Sequence, residues 1–318
     1  MAQPARVVGE ALTDVLVGAD GRGREVPGGS PANVALGLGR LGHPVRFATR
    51  IGRDRLGGLL LGHLGSADVE LVPSCVDDGP TSTATAVLDA RGAATYDFDI
   101  AWALSPEAVA AIGAGPPAHL HTGSIATALP PGADTVLAVV EAARGSATVS
   151  YDPNLRPALL GPPERERARV ERLVAASDVV KASDEDLAWL YPDQDPDKVA
   201  AQWARGDGPA LVVLTLGARG ARAWWRHGSH EVAPPPVRVV DTVGAGDAFT
   251  SGLLSSLLRS GLLGPAAARQ ALRAATSTDR LPDALTGALA LAGRAASLTC
   301  AREGADPPTL DELEEPAS

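Results

Sequence analysis

The 318-residue chain reads as an α/β protein: a doubly wound, mainly parallel sheet flanked by helices, with a small β-sheet appendage. Three features predict this. From about residue 105, short apolar segments alternate with helical stretches, the rhythm of strands joined by crossover helices. Residues 81–88 and 93–100 alternate polar and apolar around a Gly-containing turn, which marks a half-exposed hairpin outside the main core. Near the end, a strand closing at Val240 passes through Gly244, Ala245 and Gly246 into a long helix, as at the anion sites of α/β proteins.

Along the chain, residues 6–9 form the first strand and 17–29 a polar, Gly-rich stretch. Val34, Leu38 and Leu41 recur at helical spacing, so 32–41 is a helix with Gly42 as its C′ residue. Residues 45–48 read as a strand and 54–64 as a helix. Strands at 119–122, 148–152, 179–182 and 211–216 alternate with helices near 132–144, 164–176 and 198–205. Residues 224–230 and 237–240 read as antiparallel edge strands, and helices follow at about 247–260 and 282–302. One domain, 1–304, and an acidic, Pro-rich tail, 305–318, describe the whole.

Composition limits function. Lys plus Arg number 28 against 38 Asp plus Glu, a net charge of −10, with 45% hydrophobic residues. That is too apolar for a disordered chain and too acidic for a nucleic-acid binder. Cys75 and Cys300 are too few for a disulfide framework or a cysteine zinc site. No apolar run nears the roughly 18 residues of a membrane span, and no signal peptide is visible, so a cytoplasmic protein without membrane partners is expected. Only Lys181 and Lys198 are lysines, so nearly all positive charge is arginine.

Chemistry concentrates in DTVGAGDAF, residues 241–249. Glycines before a helix let successive N–H groups converge at the positive end of its dipole. Asp247 is then either the helix N-cap or an acid that accepts a hydroxyl proton beside a bound phosphate. The pattern alone fits both. Gly37–Gly42 matches G-x-G-x-x-G, but it lies within and at the end of a helix, with no strand directly before it, so it is no dinucleotide site. His119 and His121 lack a third zinc ligand and read as satisfied histidines. Trp224 and Trp225 read as neighbours on opposite faces of a strand.

Over nearly its whole length the chain resembles the ribokinase-like (PfkB) family of carbohydrate kinases. DTVGAGDAF matches that family's C-terminal signature, and GGSPAN at 28–33, followed by Leu41-Gly42 and IGRD at 51–54, matches the N-terminal one. The resemblance implies a ribokinase-like fold whose lid is built from about 11–27 and 81–101. It implies Asp247 as catalytic base, with the amides of Gly244, Ala245 and Gly246 holding the transferred phosphate. Asp14, Gly28, Gly29 and Asn33 match the sugar-binding positions.

DPNLR at 152–156 resembles a strand end of bacterial fructokinases, which implies a substrate contact for Arg156; Tyr96 is expected to reach the substrate from the lid. Ser183 and Asp186 replace the Asn and Glu of the family's N-x-x-E segment, which implies Mg²⁺ held at Asp186 through water. Thr215, Gly217, Gly220 and Ser297 match the ATP positions, and Asp241 with Val243 those of a monovalent cation such as K⁺. ATP and a sugar are thus the implied partners, with fructose the first candidate and 2-keto-3-deoxygluconate the second. Arg91, Phe98 and Trp102 are further candidates for sugar selection, and the lid could pair two copies of the chain. From a different class, a non-catalytic sugar-binding regulator would keep the same fold.

Overall fold

A strand in the middle of a parallel sheet is covered on both faces, and β1 (Ala5–Val8) is buried throughout. The computed structural model describes residues 3–17, 23–88, 94–116 and 118–315. After β1 the chain leaves the core as β2 (Leu12–Val17) and β3 (Gly23–Gly28), then returns as α1 (Ser30–Arg40). Next come β4 (Val45–Ala48), β5 (Ile51–Gly52), α2 (Arg55–Gly65), β6 (Val69–Leu71) and β7 (Val76–Asp77). The hairpin of β8 (Thr83–Leu88) and β9 (Ala94–Asp99) leads into α3 (Pro106–Gly113). Alternation then sets in: β10 (Leu120–Gly123), α4 (Gly132–Arg144), β11 (Val149–Asp152), α5 (Pro163–Ala176), β12 (Val179–Ser183), α6 (Asp184–Leu190) and α7 (Pro196–Arg205). β13 (Leu211–Thr215), β14 (Ala221–Trp225) and β15 (Gly228–Val232) close the sheet. Four helices follow: α8 (Ala245–Arg259), α9 (Ala266–Ala275), α10 (Asp283–Cys300) and α11 (Leu310–Glu314).

The main sheet has nine strands in the order β15-β14-β13-β12-β11-β10-β1-β4-β6. All neighbours run parallel except at β13–β14 and β14–β15. From β1 the chain builds outward to β4 and β6, then starts again on the other side at β10. That reversal between β1 and β10 is where open α/β sheets leave a crevice at their carboxyl edge. β3, β2, β8 and β9 form a separate four-stranded sheet, the expected appendage. Each face of the main sheet carries its own core: Val7 belongs to the side packed by α1, α8 and α10, and Val8 to the side packed by α4 and α5.

Glycine sets how closely the helices approach. A side chain at Gly37 would strike Ser251 of α8, and one at Gly39 would strike the Ala67 carbonyl, so the G-x-G-x-x-G run serves packing. Gly252 likewise admits Ala295 and Ala292 of α10, whose atoms lie 3.0 and 3.1 Å from where its Cβ would be. The tryptophan pair divides as expected: Trp225 is buried, and Trp224 lies under Arg222.

Three expectations need correction. Residues 237–240 are no strand; Pro234, Pro235 and Pro236 lack ladder N–H groups, and Val239 is 58% exposed. Val240 instead donates its N–H to the Cys300 carbonyl at the end of α10, 2.8 Å away. α3 and α9 were not visible in the pattern, because α9 buries only Ala268 and Leu272 among alanines and arginines. Residues 305–315 pack onto the core: Leu313 is buried, Asp306 pairs with Arg40 and Glu312 with Arg302, each at 2.5 Å. No helix among the described residues is long and apolar enough to cross a membrane.

Asp178 ties α9 to the sheet. It is 2% exposed, accepts the Val149 N–H at 2.9 Å, and takes two donors of Arg269 at 2.6 and 3.1 Å. Asp178→Ala should lower unfolding free energy by about 3 kcal/mol in urea, since the arginine loses its partner and the strand N–H its acceptor. A loss too small to measure would mean the tether contributes nothing.

Candidate active site

The fold removes the N-cap reading of Asp247. α8 begins two residues earlier than the sequence pattern indicates, with Gly244 at φ 73° as its N-cap. Asp247 therefore sits in the third helical position and caps nothing. Its carboxylate is 8% exposed and takes two side-chain donors from the first turn of α1: Ser30 Oγ donates to Oδ1 at 2.6 Å and Asn33 Nδ2 to Oδ2 at 2.8 Å. Ser30 was not singled out from the sequence, although it lies inside the GGSPAN run. Gly244, Ala245 and Gly246, expected to hold a phosphate with their amides, form the N-cap and first two residues of α8, where N–H groups have no intrahelical acceptor; the Ala245 N–H meets the Thr242 carbonyl at 3.3 Å. A side chain at Gly244 would collide with Ala305, which packs directly against the loop.

Asp247 lies in a cavity of about 490 Å³ between the small sheet and the carboxyl edge of the large one. Glu10, Asp14, Gly29, Ser30, Asn33, Phe98, Arg156, Asp241, Val243 and Gly244 line it with Asp247. Gly28 lies beneath Asp14, where a Cβ would meet the carboxylate, and Gly29, at φ 98°, passes close over the Glu10 carbonyl. Both glycines are therefore required by close approach. Arg156 is exposed at this cavity and is steadied by Asn154 Oδ1 at 2.6 Å. Trp102 is a core residue, 5% exposed, donating its indole N–H to the Ala126 carbonyl at 2.9 Å, and it does not line the cavity. The Tyr96 side chain and Arg91 lie outside the described residues.

The remaining predicted residues stand apart. Ser183 caps α6: its hydroxyl accepts the Asp186 N–H at 3.0 Å, and Asp186 Oδ2 accepts both the N–H and hydroxyl of Ser183 at 2.9 and 2.7 Å. Asp186 Oδ1 accepts the Leu155 N–H at 2.7 Å, so both oxygens are already engaged. Among the described residues no group of three or more His, Cys, Asp or Glu could hold a metal ion. Thr215 ends β13, while Gly217 and Gly220 adopt φ values of 56° and 85° in the following turn. Ser297, on α10, faces the Pro235 carbonyl. None of Ser183, Thr215, Gly217, Gly220 or Ser297 lines the Asp247 cavity. Asp241 Oδ1 accepts the Val243 N–H and Oδ2 the Gly304 N–H, at 3.1 and 2.8 Å.

Sequence reasoning also missed a buried ion pair. Lys181, 6% exposed, donates to Asp152 Oδ2 at 2.9 Å. Burial opposes its charge, but Asp152, Asp186 and Asp247 outweigh that and keep it protonated. On the neighbouring strand, His119 bridges Thr148 and Ser150, and His121 also meets Ser150; burial pushes both imidazoles down to about 3, so they are neutral and structural. Residue type was visible in the sequence; depth was not.

Comparison with known proteins gives the same architecture a family. Residues 3–312 match the pfkB family of carbohydrate kinases, and the chain belongs to it. It is 38% identical over 263 residues to a fructokinase of Rhizobium leguminosarum bv. trifolii, covering 80% of each chain. Its structure resembles that of a Xylella fastidiosa fructokinase with bound ATP: TM-score 0.82, 27% identity, 97% and 96% of the two chains covered. It also resembles a Vibrio cholerae O395 fructokinase variant holding fructose, ADP and a potassium ion, with TM-score 0.72, 28% identity and 98% and 96% coverage.

Glu10 is buried beside Gly29, at the edge of the cavity. Burial raises its pKa to about 7, although the hydrogen bond from the Ala126 N–H at 3.0 Å, a contact with Ser124 and the Arg156 charge pull the other way. Burial likewise raises Asp14 to about 6, opposed by Arg156 and reinforced by Asp247. Between the unfolded value of 4.5 and the folded value of about 7, the folded chain keeps the Glu10 proton while the unfolded chain releases it. Stability is therefore lost as pH rises through that window. Glu10→Gln keeps an acceptor for Ala126 and should raise the melting temperature at pH 8 more than at pH 5. An equal effect at both pH values would contradict this.

Proposed function

We propose that this chain is an ATP-dependent fructokinase: it transfers the γ-phosphate of ATP to a hydroxyl of fructose, with Asp247 as general base. The observation that carries the reading is the Asp247 carboxylate, fixed by Ser30 and Asn33 at the start of α8 inside the cavity that also holds Asp14. The sugar is placed between the small sheet and the core, where Asp14 and Asn33 offer an acceptor and a donor to its hydroxyls and Gly28 and Gly29 leave room for the ring. Its attacking hydroxyl forms the new O–P bond, its proton passes to Asp247, and the bond from the γ-phosphorus to ADP breaks. The first-turn amides of α8 take up charge on the phosphoryl oxygens as it develops. Closure of the small sheet over the sugar would keep water, a competing acceptor, away from the phosphoryl group.

The nucleotide itself would lie toward Ser183, Thr215, Gly217, Gly220 and Ser297, beyond the sugar cavity. Mg²⁺ is part of the nucleotide substrate in this reading, since the Asp186 oxygens are engaged by backbone and Ser183 donors and reach a metal only through water. A potassium ion, as in the Vibrio fructokinase, would use the Asp241 carboxylate and the Val243 carbonyl. A cytoplasmic location and pairing of two copies through the small sheet, where Leu16 is 45% exposed, belong to the same proposal.

Arg156 at the cavity could also meet a carboxylate, which makes 2-keto-3-deoxygluconate the competing substrate, but Glu10 and Asp14 already share that charge. A coupled ADP assay across both sugars, ribose and tagatose 6-phosphate decides the substrate: fructose should give the highest kcat/KM. Sugar binding without turnover would mark a regulator instead. Asp247→Asn should lower kcat about 1,000-fold, within the range for loss of a general base, with ATP affinity kept. Turnover near the native rate would remove Asp247 from this role.

A further inference from the structure

The chain has 28 basic residues, of which 28 − 2 = 26 are arginine, so a lysine in a demanding place is out of pattern. Lys181 is such a case. The other described ion pairs use arginine, and most of those have partners at least partly in solvent, whereas the Lys181 and Asp152 side chains are 6% and 1% exposed. A buried pair adds little to stability, because desolvation offsets the attraction and an apolar pair often serves equally well. Its position suggests another role. Lys181 Nζ lies 3.0 Å from where a Cβ on Gly246 would sit, directly against the first turn of α8. Of its three N–H donors, the one shown bond among the described residues goes to Asp152 Oδ2, and Asp152 Oδ1 has no partner there. The ammonium thus retains donors, is steadied from behind by a carboxylate, and lies close enough to Asp186 and Asp247 to feel both charges. A compact point charge suits this space better than a planar guanidinium.

We propose that Lys181 is a further catalytic residue, whose ammonium group contacts an oxygen of the transferring γ-phosphoryl group while Asp152 holds it in place. This rests on the kinase reading above. In an acidic protein the α8 amides supply only partial charges, and Lys181 adds a full one where negative charge must be stabilised. Asp152 is then a positioning residue: it fixes the ammonium without meeting the substrate.

Two measurements test this. With only Lys181 and Lys198 to observe, isotopically labelled lysine gives two side-chain signals in the native protein. β,γ-Methylene-ATP should move the Lys181 ammonium signal and ADP should leave it in place, with Lys198 unmoved by either. A Lys181 signal that ignores the analogue, or responds equally to ADP, overturns the proposal. The double variant Asp152→Asn/Lys181→Met removes the pair without leaving a lone buried charge, so it should fold. Its kcat should fall about 100-fold, the scale of a lost transition-state donor, with sugar KM unchanged. Native turnover by a folded double variant also overturns the proposal, and should it not fold, the native lysine signals decide. Native protein that phosphorylates no sugar would instead refute the kinase reading, independently of Lys181.

Discussion

Two hydrogen bonds from the first turn of α1 to the Asp247 carboxylate hold the site together across 217 and 214 residues of chain. Everything around the site serves that contact. Gly29 turns the chain so that α1 starts beneath the small sheet, Pro31 fits its first turn, and most of the helix is buried. The bare surface of Gly37 against Ser251 sets the distance between α1 and α8. Because Ser30 and Asn33 lie in the helical turn that directly follows Gly28 and Gly29, the Asp247 carboxylate and the glycine turn are positioned together. Precision of this kind comes from packed helices more readily than from loops.

Much of this was legible in the sequence where a residue type has a single physical use. Gly244 at positive φ before a helix, the glycines at 28 and 29, and the apolar parallel strands all announced themselves. Where one residue type has several uses, the pattern left the choice open or misled. Val237, Val239 and Val240 looked like a strand, but three prolines before them leave no ladder to join. Trp102, a candidate for sugar selection, is held in the core by the Ala126 carbonyl. Asp186, expected to hold Mg²⁺ through water, also closes a capping box and accepts the Leu155 N–H, and the residue type alone does not show these uses. Ser30 and Lys181 were in plain view, but their partners lie far away in sequence, and only the fold brings them together.

The charge distribution is a tension the site resolves locally. A net charge of −10 repels a polyanion at long range, yet ATP carries several negative charges of its own. Burial also raises Glu10, Asp14 and Asp152 close to this cavity, so each ionised acid opposes folding. What offsets them is short-ranged: helix-terminal amides, Arg156, and the Lys181 ammonium group against the first turn of α8. Such charges act over the width of one phosphate and vanish at a distance. A net acidic chain is therefore compatible with a pocket that accepts a nucleotide.

The loop before α8 is completed by residues beyond α10. Gly304 donates its N–H to Asp241, and Ala305 packs against Gly244, so the loop has no finished shape without them. A ribosome making this chain delivers the sugar-facing segment first, the base and its loop near residue 247, and the final brace some sixty residues later (305 − 244 = 61). Until that brace emerges, the loop lacks the contacts that Gly304 and Ala305 make with Asp241 and Gly244. The contacts that brace this loop are thus among the last that the growing chain can make.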